Sequence, residues 1–211
     1  MKAAYWALLA AAALPTVASA NQAGDVIVRV GTATVVPSAN SPSVLGSLGS
    51  FHASNNTQMG LTLGYMWTDN IGMELLAATP FKHKIGLRST GTIASVRQLP
   101  PTLMAQYYFG SKEDKLRPYL GAGVNYTNFY GAHFNQTGKD AGLSDLSMSN
   151  SWGFAGQAGV DYNIDKNWLV NASVWWMDIN SKAKFKAGED QQSVHTQLNP
   201  WVFMFAVGYR F

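Results

Sequence analysis

Residues 199–211 read NPWVFMFAVGYRF. From Trp201 onward every second residue is large and apolar: Trp201, Phe203, Phe205, Val207, Tyr209 and Phe211. Between them lie Val202, Met204, Ala206, Gly208 and Arg210, which are smaller or polar. A period of two belongs to a β-strand whose faces meet different surroundings. A soluble protein rarely closes a strand with six bulky apolar side chains on one face. A strand in lipid must do so, and an aromatic residue suits the membrane–water boundary where Phe211 would sit. The stretch therefore predicts a membrane-spanning strand; its rival is the last strand of a soluble sandwich.

The other end indicates the compartment. Lys2 precedes an apolar run from Ala3 to Leu14, and Ala18-Ser19-Ala20 is a small-x-small cleavage site. That pattern predicts a secretory signal peptide over residues 1–20, too short to cross a bilayer as a helix. The mature chain would begin at Asn21 and form one domain over 21–211. It has no cysteine, so no disulfide framework is possible. Without Lys2 the formal charge is +2, from 14 basic and 12 acidic residues. The basic residues are dispersed, which argues against a nucleic-acid surface. Charged residues make up 13% of the chain, about half the share usual in a soluble domain. After the signal no apolar run is long enough for a transmembrane helix. An exported, aromatic-rich chain of low charge points to a transmembrane β-barrel.

Eight alternating segments predict an all-β, eight-stranded antiparallel barrel. They run roughly over 25–36, 57–68, 71–82, 97–109, 117–130, 151–163, 168–180 and 201–211. Thr68-Asp69-Asn70, Gly110 to Lys115 and Asp165-Lys166-Asn167 are short polar turns, expected to face the periplasm. Longer connections, from Pro37 to Asn56, Gly86 to Val96, Gly131 to Asn150 and Ser181 to Thr196, are expected as extracellular loops. Gly142 to Leu146 in the third loop suggests one helical turn.

Parity then predicts the lumen. With the aromatic sets facing lipid, Arg29, Glu74, Gln98, Gln106, Arg117, Asn125, Gln157, Asp161, Asn171, Ser173 and Arg210 point inward. Charges there must pair or be hydrated. Arg29 and Arg210 should meet at the closing seam, with Glu74 or Asp161 as partners. A second set shares this parity but is apolar: Ile27, Met66, Leu76, Met104, Tyr119, Trp175, Val202 and Met204. Two readings remain open for it: core packing in a narrow barrel, or the lining of a path for an apolar solute. Gly121-Ala122-Gly123 lies within a strand and reads as room for a lumen side chain rather than a phosphate loop.

The ordered segments NNTQMGLTLGYMWTDNIGMELLAATPFKHKIG (55–86), LPPTLMAQYYFG (99–110), RPYLGAGVNYTNFY (117–130), AGLSDLSMSNSWGFAGQAGVDY (141–162) and NWLVNASVWWMDI (167–179), with the C-terminal strand, resemble the OmpW family of Gram-negative outer membrane proteins. The resemblance spans essentially the mature chain. It implies an eight-stranded barrel with a hydrophobic channel toward its outer end, passive uptake of small apolar compounds, and ion-channel behaviour in bilayers. Carried over by position, Leu76 and Trp175 would form part of the apolar constriction. It also implies, for some members, a receptor role for bacteriocins or phage.

The resulting expectation is a non-enzymatic outer-membrane channel for small hydrophobic molecules, needing no cofactor and no metal. Its lining would comprise Leu76, Trp175, Met66, Met104, Tyr119 and Met204. Its partners would be membrane lipid, lipopolysaccharide, apolar solutes and, through the strand ending in Phe211, the barrel-assembly machinery. Pro100-Pro101 cannot donate ladder hydrogen bonds and would allow a sideways exit. Two alternatives stand beside it. One is a structural, adhesive or receptor barrel. The other is a lipid A-modifying enzyme built on a His/Ser pair: His52, His83, His133 and His195 are present, with Ser54 and Ser193 two residues from the first and last. None of the four has metal-ligand spacing, and Lys82 and Lys84 flank His83.

Overall fold

The computed structural model describes residues 21–38, 51–87 and 91–211. The expected signal peptide, residues 1–20, lies outside the described residues. Fourteen strands and one short helix follow in order: β1 Val26–Val36, β2 Phe51–Ala53, β3 Asn56–Met66, β4 Ile71–Ala78, β5 Phe81–Leu87, β6 Gly91–Leu99, β7 Thr102–Tyr108, β8 Leu116–Phe134, α1 Gln136–Asp140, β9 Leu143–Met148, β10 Ser151–Asn163, β11 Trp168–Met177, β12 Asn180–Ala187, β13 Asp190–Gln197 and β14 Trp201–Arg210.

Eight of these form the barrel. The antiparallel order β10-β11-β14-β1-β3-β4-β7-β8 is closed by pairing of β8 with β10. The first and last strands meet along a ten-residue register from Ile27↔Arg210 to Val36↔Trp201. Closure leaves no edge in lipid, where unpaired backbone groups would cost several kcal/mol each. The predicted faces hold: on β14, Trp201, Phe203, Phe205, Val207 and Phe211 are exposed, while Val202, Met204, Ala206, Gly208 and Arg210 are buried. Trp152, Phe154, Trp168 and Tyr162 extend the outer apolar surface on other strands. The short turns are fixed locally. The Asp165 carboxylate accepts from the Asn167 and Trp168 amides, both at 2.8 Å, which holds it below the usual carboxylate range.

Above the bilayer the architecture differs from the expected loops. Much of the long connections is strand. β4 continues into β5, β7 is preceded by β6, and β11 continues into β12, with breaks at Thr79-Pro80, Pro100-Pro101 and Asp178-Ile179. β5, β6 and β2 extend the sheet from the upper half of β8, while β13-β12-β9 forms a second sheet. The helical turn expected at Gly142–Leu146 is displaced. That segment begins β9, and the helix precedes it, capped by the Asn135 side chain accepting from the Gly138 amide at 3.0 Å.

The reason is an inversion of pattern. In lipid, apolar side chains point out and polar ones in. Above it, Lys82, Lys84, Lys182, Lys184 and Lys186 point out, while Ile85, Ala183 and Phe185 are turned inward.

Candidate functional site

The lumen is layered. At its periplasmic end Arg117 is fully buried and donates to three backbone carbonyls: Phe109 at 2.8 Å, Asp69 at 2.9 Å and Asn21 at 3.3 Å. It thereby ties the start of the described chain to two turns. Arg210 was expected to pair with Glu74 or Asp161; it lies instead 3.8 Å from Asp25 and donates to Asn163 Oδ1 at 2.8 Å. The expectation failed because Arg210 is the last residue of its strand, level with the turns, whereas the two carboxylates sit further up.

Those carboxylates converge on Arg29. Its Nη1 is 2.8 Å from Glu74 and its Nη2 2.6 Å from Asp161. Gln106 and Gln157 each donate to Glu74 Oε2, at 2.6 and 2.8 Å. Asn171 donates to Asp161 at 2.7 Å and to the Tyr119 hydroxyl at 2.9 Å. Arg29 also donates to the Tyr108 hydroxyl at 2.9 Å. Among the described residues, three buried carboxyl side chains, Asp25, Glu74 and Asp161, stand against three buried guanidinium side chains, Arg29, Arg117 and Arg210. A sealed interior requires such balance, because an uncompensated buried ion is expensive.

The apolar inward residues are all buried, but they occupy two heights. Ile27, Met66 and Tyr119 cluster with Tyr108 and Leu169 near the periplasmic strand ends. Leu76, Met104, Trp175, Val202 and Met204 belong to a larger cluster on the extracellular side, with Phe81, Phe129 and Met177. Parity fixes a residue's face and not its height, so Met66 and Tyr119 stand apart from Leu76 and Trp175. Trp175 is 1% exposed and its indole donates to Ser173 Oγ at 3.1 Å. Below it lies the buried, hydrogen-bonded Arg29 layer.

Gly121 and Gly123 have the spatial role expected. A Cβ at Gly121 would sit 2.9 Å from Gln157 Oε1, and one at Gly123 would strike the Leu103 carbonyl and the Met104 sulfur.

Above the large cluster is an apolar-lined cavity between the two upper sheets. Val35, Val96 and Phe129 belong to both the cluster and the cavity wall, so the two are continuous. The polar lining side chains are His83, Gln98 and Thr196. Of the inward residues that parity identified, only Gln98 reaches this wall. The rest of the wall, including Ile85, Phe134, Met148 and Leu198, comes from segments expected to be loops or from their junctions with the barrel. The alternation of Lys82-His83-Lys84-Ile85 was the available signal.

The barrel wall beside the cluster is interrupted. The β4–β7 ladder ends at Leu76↔Thr102, and the β5–β6 ladder begins at Phe81↔Gln98. Thr79-Pro80 and Pro100-Pro101 occupy the gap. Asn125 braces it, donating to Thr102 Oγ1 at 2.8 Å and to the Pro101 carbonyl at 3.3 Å.

The suggested His/Ser pairs divide. Ser54 gives its carbonyl to His83 Nδ1 and its hydroxyl oxygen to the Lys84 amide, while Ser193 and His195 lie on the outer face of β13. A different pair is in contact: Ser95 Oγ lies 3.2 Å from His133 Nε2, also on the outer surface.

The model of the OmpW family matches residues 22–211. The chain belongs to the OmpW family. Outer membrane protein W of Escherichia coli (strain K12) is 61% identical over 194 residues, covering 92% of both chains. The crystal structure of OprG from Pseudomonas aeruginosa superposes with a TM-score of 0.86 at 38% identity, covering 91% of this chain and 98% of that one. More distant is the dibenzothiophene metabolism operon protein PahQ of Pseudomonas aeruginosa, 24% identical over 167 residues, covering 77% of this chain and 75% of that one. As an OmpW-family barrel, the chain is an outer membrane protein of a Gram-negative bacterium, with its turns in the periplasm and its upper sheets outside.

Proposed function

We propose that this barrel is a passive channel by which small, mainly hydrophobic molecules cross the outer membrane. The carrying observation is the apolar-lined cavity in the extracellular half. It is continuous with the cluster containing Leu76, Met104 and Trp175. Lipopolysaccharide forms a polar layer that an apolar solute crosses poorly. A protein-walled apolar chamber above the bilayer shortens that crossing, with no cofactor or energy source.

The exit we assign is sideways. Downward passage would require displacing the Arg29–Glu74–Asp161 layer, whereas the ladder gap at Pro80 and Pro100-Pro101 lies beside the apolar cluster and leads to lipid. The operon named for dibenzothiophene metabolism in one relative supports an apolar solute. In the same reading, Lys82, Lys84 and Arg97, exposed beside Tyr130 at the upper boundary, face the phosphates of lipopolysaccharide. The barrel-assembly machinery takes up the strand ending in Phe211.

The test is accumulation of labelled naphthalene by cells with and without the barrel. We expect faster uptake with it. Pro100→Ala/Pro101→Ala restores two ladder donors and should slow uptake at equal surface abundance. Equal rates with and without the parent barrel would refute the transport reading, and an unaffected double variant would refute the sideways exit.

A further inference from the structure

Two polar side chains that line an apolar chamber each hold a buried atom without a partner. His83 lies on β5 between two outward lysines, and alternation turns it inward until it is 3% exposed. Its Nδ1 is 2.7 Å from the Ser54 carbonyl. A carbonyl can only accept, so Nδ1 carries the proton, and in the neutral ring Nε2 is left with a lone pair. That Nε2 is buried and has no hydrogen-bond partner. Across the cavity, on β13 of the other sheet, Thr196 is 5% exposed and its hydroxyl is likewise buried without a partner. Gln98 adds an amide on the His83 wall, diagonal to it across the β5–β6 ladder, where Phe81 pairs with Gln98 and His83 with Val96. The remaining lining is apolar, with the Phe129 and Phe134 rings among it.

Buried polar groups are ordinarily satisfied, and leaving one without a partner is costly. A wholly hydrocarbon occupant would leave both His83 Nε2 and the Thr196 hydroxyl unmet. An occupant with an apolar body and one N–H or O–H group would bury the body against the phenylalanines and give its proton to Nε2. We propose that His83 and Thr196 make this cavity a site for apolar solutes that carry a single hydrogen-bond donor, and that they select these over pure hydrocarbons of the same shape. The inference rests on the cavity reading above and names its solute class. Burial pushes the His83 pKa below the usual imidazole range, which keeps the ring neutral and Nε2 an acceptor near pH 7.

The experiment uses indole and indene, which share size and shape while only indole carries an N–H. Affinities for the full mature barrel in lipid nanodiscs would be compared for the parent, His83→Phe and Thr196→Val. The ¹⁵N shift of His83 Nε2 would be followed during titration. We expect indole to bind the parent about five- to tenfold more tightly than indene, the worth of one good hydrogen bond. The Nε2 shift should move with indole only. His83→Phe should abolish the preference, and Thr196→Val, close to isosteric, should reduce it by tightening indene binding. Equal affinity for both probes in the parent, as a resident water on Nε2 would produce, overturns the proposal while the channel reading stands. So does a preference that survives both variants. Failure of both probes to bind the cavity overturns the channel reading and this proposal together.

Discussion

At the scale of single residues, the lumen depends on charge balance. Arg29 serves two carboxylates at once, at 2.8 and 2.6 Å, in a layer almost without exposure. Arg29→Met would leave Glu74 and Asp161 buried without the guanidinium they share. Loss of one partner from a buried ion pair typically costs about 3–5 kcal/mol. We expect a drop of that order in the urea stability of the detergent-folded barrel, part of it recovered in Arg29→Met/Asp161→Asn; equal stability of Arg29→Met and the parent would contradict it. His83 gives a second residue-scale prediction, since it stands above the bilayer between exposed lysines. Its pKa is depressed on folding, chiefly by burial and partly offset by the Ser54 carbonyl. Below the ordinary imidazole value of about 6.5 the unfolded chain therefore binds more protons than the folded one. The stability from a neutral His83 is complete above that pH and is lost as pH falls beneath it. Urea midpoints at pH 7.5 and 5.5 should diverge more in the parent than in His83→Gln; parallel pH dependence in the two would count against a depressed value.

At the scale of elements, alternation is informative only while the two sides of a strand differ in a known sense. In lipid they do, and the eight barrel strands were legible, β14 most clearly; the reading failed at Phe81, expected on the outward face of the third strand with Lys82 inward, where past Thr79-Pro80 the phenylalanine is 1% exposed and the lysine points out. Above lipid the sense reverses within one continuous path, as from Leu75 and Ala77 pointing out on β4 to Lys82 and Lys84 pointing out on β5. Prolines mark two of the reversals. A reading keyed to outward apolar residues therefore ends each strand at the boundary and takes the remainder for loop. Phe205 tests the part that was legible. It is 66% exposed and lies midway between Trp201 and Tyr209, the aromatics near the two ends of β14. That places it near the bilayer midplane, where an outward arginine costs about 2–4 kcal/mol, against about 0–1 near an interface. Phe205→Arg should lower the folding free energy into lipid vesicles by that amount, and Phe211→Arg by much less. Equal effects at the two positions would mean that β14 sits at a different depth.

At the scale of the whole molecule, the lumen is a stack: arginine latch, ion layer, apolar cluster and open chamber. Parity alone could not order that stack. It grouped Met66 with Leu76 because both point inward, although Met66 ends β3 beside a periplasmic turn. It missed Phe134 and Met148 on the chamber wall, because that part of the wall exists only once two sheets close over segments expected to be loops; Val35 and Phe129, which also reach the wall, share the inward parity of their predicted strands but were not among the inward residues named. Leu76 and Trp175 sit at the decisive level, above the ion layer, in the cluster continuous with the chamber, and Leu76 ends the ladder beside the proline gap. If solute moves through that cluster toward the gap, Leu76→Asp or Trp175→Asp places a carboxylate on its path. Partitioning of a hydrocarbon into the cluster should weaken, and wetting of the constriction should raise ion conductance across a planar bilayer. Pure core packing predicts a different result: lower stability, with transport per folded molecule unchanged. Naphthalene uptake normalised to folded surface barrel, with conductance measured beside it, separates the two. We expect several-fold slower uptake and higher conductance for each variant. Uptake and conductance both equal to the parent would remove these residues from the solute path and assign them to packing.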